Sequence, residues 1–62
     1  MHINRQIELF LRKHEMPPTK FGRLAACDPR LVLDIRMGRE VRPALAARLQ
    51  QFMARFDSGA GI

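Results

Sequence analysis

The sequence is short of cysteine, short of acid and without a long apolar run, and each shortage removes a class of function. A single cysteine, Cys27, excludes a disulfide within the chain and suits a reducing cytoplasm. No segment approaches the roughly 20 apolar residues that cross a bilayer. Arg5, Glu8, Arg12 and Lys13 interrupt the first stretch, so it lacks the apolar centre of a signal peptide. A soluble cytoplasmic chain with no membrane partner is therefore expected. There is no nucleophile–base set and no glycine loop for phosphate, and the chain is too small to enclose a pocket. Neither an enzyme, a cofactor nor a small-molecule ligand is expected. His2 and His14 have no partner at metal-ligand spacing, so no metal is expected either.

What is present is arginine. Eleven Lys and Arg residues face six acids, a formal charge of +5 on 62 residues. Such a field attracts polyanions, and the planar arginine fork suits phosphate and guanine edges. A chain of this length forms one domain with a small core, here residues 1–57, followed by a flexible tail over 58–62. No internal repeat or low-complexity stretch interrupts it.

Apolar periodicity and local punctuation predict the helices. Ile3, Ile7, Phe10, Leu11 and His14 form one stripe, with Asn4 available as a cap and Glu8 placed four residues before Arg12. The Pro17-Pro18 pair ends this helix, and the next begins at Pro18 or Thr19, with Thr19 as a possible cap. Phe21, Leu24 and Ala25 give the second helix its inner face. Gly22 in its interior implies a close helix crossing, since glycine there costs about 1 kcal/mol relative to alanine. Asp28-Pro29 is a strong start signal, an N-cap followed by proline at the first helical position. Val32 and Ile35 face inward, and Gly38 stops the third helix. Pro43 opens the last helix, with the stripe Leu45, Ala46, Leu49, Phe52, Met53 and Phe56. The expected fold is all-α, with four or five helices. Cys27 is read as a small buried residue.

Two helices joined by a tight turn over residues 18–38 form a helix-turn-helix. This stretch resembles the phage-repressor-type family, the lambda-repressor-like or Xre superfamily. There the recognition helix commonly ends in an I-x-x-I-x-x-G-[KR] pattern, matched here by Val32, Ile35, Gly38 and Arg39, with Pro43 shortly after. The turn position that such proteins usually fill with glycine falls on Ala26, and Pro18 stands where a polar, phosphate-touching residue is common.

The resemblance implies a sequence-specific, double-stranded DNA-binding regulator of bacterial or phage type, located on the nucleoid. Its recognition helix, about residues 29–37, would enter the major groove. By position the base contacts fall on Pro29, Arg30, Leu31 and Asp34. Arg30 suits guanine O6 and N7, Asp34 a cytosine amino group, and Leu31 a thymine methyl. Thr19, Lys20, Arg23, Arg36, Arg39 and Arg42 are the candidate phosphate contacts. Members of this family bind paired half-sites as dimers, and Leu45, Leu49, Phe52, Met53 and Phe56 are the expected homodimer surface. Other readings stay open. Arg30 and Asp34 could pair with each other, and Leu31 or Leu33 could belong to the core. An outward Leu31-Val32-Leu33 run would suit a protein partner, making the chain an adaptor, antitoxin or inhibitor. The charge alone would also suit a non-specific nucleoid-type binder.

Overall fold

The computed structural model describes residues 2–59, and they form four helices with no strand among them. The helices are α1 (Ile3–His14), α2 (Pro18–Ala26), α3 (Leu31–Arg36) and α4 (Pro43–Asp57). The final helix is single, and the expected tail lies outside the described residues beyond Gly59.

Three of the four helix ends share one device. After α1, Met16 N–H reaches Leu11 C=O at 3.0 Å, and after α2, Asp28 N–H reaches Gly22 C=O at 3.0 Å. After α3, Arg39 N–H reaches Asp34 C=O at 2.9 Å. Each is the six-residue closure of a Schellman motif, which needs one left-handed residue just past the helix. Those residues are Glu15 (φ 50°), Cys27 (φ 54°) and Gly38 (φ 108°). Gly38 adopts this backbone without strain, whereas Glu15 and Cys27 carry a β-carbon that opposes it. The position that demands glycine in the α2–α3 turn is therefore Cys27 and not Ala26, which is the last residue of α2. Cys27 is also exposed, contrary to the buried place expected for it, because the left-handed turn directs it off the helix pair. Cys27→Gly should therefore stabilise the fold by roughly 0.5–1 kcal/mol, read as a rise in the urea midpoint with an unchanged slope.

The starts are less regular. His2, rather than Asn4, occupies the cap of α1, its ring nitrogen accepting from Asn4 N–H at 3.4 Å. Pro17 precedes α2 with no side-chain cap, and Pro18 fills the first turn where its missing N–H is harmless. α3 begins later than the Asp28-Pro29 signal suggests. The Asp28 carboxylate accepts from Arg30 N–H at 3.1 Å, and its backbone carbonyl accepts from Leu31 N–H at 3.1 Å. This Asx-type turn consumes residues 28–30 before the helix can propagate.

The core is Ile7, Phe10 and Leu11 of α1, Met16 of the α1–α2 connection, Phe21 and Ala25 of α2, Leu31, Val32 and Ile35 of α3, and Leu49 and Met53 of α4. Phe10 sits at its centre, 5.5 Å from Phe21 and 5.4 Å from Phe56 in edge-to-face contacts. Phe21 and Phe52 meet in the same way at 5.5 Å. Such pairs add about 0.5–1.5 kcal/mol beyond area burial, a useful margin in a core this small. Arg48 of α4 donates to the Ala25 carbonyl at 3.1 Å, satisfying an orphan acceptor in the last turn of α2.

Candidate nucleic-acid interface

α3 is the element around which a site can be built, and Gly22 sets its distance from α2. A β-carbon at Gly22 would lie 2.2 Å from the Asp28 carbonyl oxygen and 3.2 Å from Leu31 Cβ. The turn and the first residue of α3 thus rest directly on the α2 backbone. Leu31, Val32 and Ile35 hold the inner side of α3 in the core. With the inner side so anchored, the outward residues have a fixed direction.

The sequence-predicted site residues differ in exposure and in pairing. Pro29 and Arg30 are exposed at the head of α3, and the Arg30 side chain makes no hydrogen bond or ion pair within the described residues. Asp34 is half-buried and pairs with Arg39 at 3.6 Å, not with Arg30. Arg39 also reaches the Asp28 carboxylate at 3.1 Å, so these two acids hold it against the α2–α3 turn. Leu31 is 0% exposed and cannot touch a base edge. That correction follows from its place on the same side as Val32 and Ile35, pressed against Gly22.

Among the expected phosphate contacts, Thr19, Lys20, Arg23 and Arg42 are exposed and their side chains are unpaired among the described residues. Arg36 is not free. Its Nε and Nη2 donate to the two Glu8 oxygens at 2.8 and 2.9 Å, a two-point clamp between α3 and α1. Glu8 therefore bonds across the fold rather than to Arg12 on its own helix, since the bidentate fork outweighs a single helical neighbour. A phosphate at Arg36 would have to displace Glu8.

The expected dimer stripe divides within one chain. Leu49 and Met53 are core residues, and Leu45, Phe52 and Phe56 pack against that core. α4 thus buries Leu49 and Met53 fully and leaves Leu45, Phe52 and Phe56 half-buried. The exposed large apolar side chains are instead Leu9, Leu24, Leu33 and Met37. Leu33 and Met37 lie on α3 and its cap; a methionine would ordinarily fill a gap in a core this small, yet Met37 stands in solvent. A groove of about 370 Å³ between α1 and α4, lined by Leu9, Phe10, Met53 and Ala54 among others, is the other apolar feature.

Two carboxyls are held below their ordinary range. The Arg36 hydrogen bonds lower Glu8 from 4.5, against the opposing effect of burial. The His14 hydrogen bond, helped by Lys13, lowers Asp57 from 3.8 and ties the end of α4 to α1. A depressed folded-state pKa adds stability above the unfolded value and loses it as pH falls through the folded one. Stability should therefore fall as pH drops below about 4.5. Glu8→Gln should flatten that fall in thermal melts between pH 6 and 3. The Glu8–Arg36 pair is nearly half exposed, so its share at neutral pH is under about 1 kcal/mol.

No group of three or more His, Cys, Asp and Glu side chains among the described residues is placed to hold a metal ion. No helix among them is long and apolar enough to cross a membrane. No protein-family model, no curated protein and no solved structure matches this chain.

Proposed function

We propose that this chain is a sequence-specific double-stranded DNA-binding regulator with a lambda-repressor-like helix-turn-helix, α2–turn–α3, that places α3 in the major groove. The observation that carries this reading is the unpaired, exposed Arg30 at the head of a helix whose inner side is locked by Leu31, Val32 and Ile35. An arginine so placed can bring its fork to guanine O6 and N7 together, worth about 1–3 kcal/mol of discrimination. Lys20, Arg23 and Arg42 on the adjoining elements supply phosphate contacts, which set register without reading sequence. Arg39 and Asp34 form one unit with Asp28, so Asp34 reaches a cytosine amino group at the expense of Arg39. Two copies on paired half-sites remain part of the proposal, because one six-residue helix spans few base pairs.

The test is selection from a randomised duplex pool at about 150 mM salt, where weak non-specific binding is suppressed. The expected result is an enriched motif with a guanine that Arg30→Ala no longer requires, at a loss of roughly 10-fold or more in affinity for that motif. Retention without enrichment would identify a backbone binder. A second reading, a protein-interaction module, is favoured by the exposed Leu33 and Met37. Failure to retain any duplex would turn the assignment to it.

A further inference from the structure

We propose that Leu33 and Met37 are specificity-determining residues, which read thymine methyl groups beside the base contacted by Arg30. The assignment rests on α3 being the DNA-facing helix. At 3.6 residues per turn, the buried Leu31, Val32 and Ile35 centre on one side of α3, and Leu33 and Met37, four apart, share the other with Arg30. Leu33 is 47% exposed and Met37 86%, above every other large apolar side chain described. Neither contributes to the core, so neither is explained by folding.

Charge decides what covers this strip. Arg30 precedes it on the same helix face and Arg42 follows five residues after Met37, both with side chains unpaired among the described residues, and the whole chain carries +5. A matching surface must be anionic at its edges and offer isolated apolar points between them. The major groove does both, with phosphates along its rims and the thymine C5-methyl projecting from its floor. The spacing agrees. Four residues of helix rise about 6 Å, close to two base-pair steps of about 3.4 Å. Arg30 to Met37 spans about 10 Å, or three steps. The half-site therefore holds a guanine and, within about three base pairs, thymines roughly two steps apart. The apolar readout implied for Leu31 passes to residues that the fold leaves open.

The experiment takes a duplex retained from the randomised pool and resynthesises it with deoxyuridine for thymidine. This removes the methyl groups and leaves every pairing edge in place. Affinity should fall about fourfold per contacted methyl, and roughly 10-fold or more if both side chains make their contact. The double variant Leu33→Ala, Met37→Ala should fold normally and bind the two duplexes equally. Equal binding of the unaltered chain to both duplexes would overturn the assignment and leave the DNA-binding reading standing. Retention of no duplex at all would overturn both, and would mark the strip as a protein-docking surface.

Discussion

Leu31→Ala is expected to leave the chain largely unfolded at 25 °C, with loss of helical circular dichroism and of the cooperative thermal transition. The side chain is fully buried and belongs to the same core as Phe21, Val32 and Leu49. Truncating a buried leucine costs about 2–5 kcal/mol, the transfer term plus the cavity left behind. A single core of this size supplies only about 3–5 kcal/mol in total, so the loss consumes most of it. Leu33→Ala, two residues on, should shift the midpoint little, because its side chain is already half in water. The contrast between neighbours is the diagnostic. Equal and small effects would mean that Leu31 also faces outward, contrary to its place against Gly22.

Gly22→Ala is the second large effect, and its cause is geometric. The new methyl carbon would sit 2.2 Å from the Asp28 carbonyl oxygen, a backbone atom that cannot swing aside. That oxygen also accepts from Leu31 N–H at 3.1 Å, and the Asp28 N–H donates to Gly22 C=O at 3.0 Å. Relieving the clash requires α3 and the turn to move off α2, which breaks both bonds and opens the core at Leu31. Overpacking alone costs roughly 1–3 kcal/mol, and each lost backbone hydrogen bond adds about 1 kcal/mol. The gain from placing alanine in a helix, about 1 kcal/mol, does not offset this. Denaturant melts should show a midpoint far below the parent's. If some chain remains folded, α3 should be displaced, and any DNA affinity should fall further than stability alone explains. A midpoint at or above the parent's would refute the close crossing.

Local signals account for the positions of the helices. Pro17-Pro18 and Pro43 fix φ and withdraw a donor, so they end or open helices wherever the tertiary context places them. Gly38 does the same for the end of α3, because its left-handed backbone is needed within a few residues of the helix it closes. The 3.6-residue stripes of α1 and α4 run long enough to name their inner faces. Gly22 announced a close approach, since a helix interior rarely keeps a glycine without one.

Non-local matters were decided by the tertiary structure. Leu31-Val32-Leu33 is apolar throughout, and a six-residue helix is too short for periodicity to choose among the three. Their direction came from α2, whose bare Gly22 backbone receives Leu31 and leaves Leu33 outside. Glu8 found Arg36, 28 residues away, because the fold brings a bidentate partner to it. Phe10 and Phe21 meet Phe52 and Phe56 edge to face, which half-buries that part of the α4 stripe within one chain. The sequence by itself thus determined where helices begin and end, through steric effects within a few bonds. The packing of α3 on α2 determined which of its side chains remain free to meet a partner.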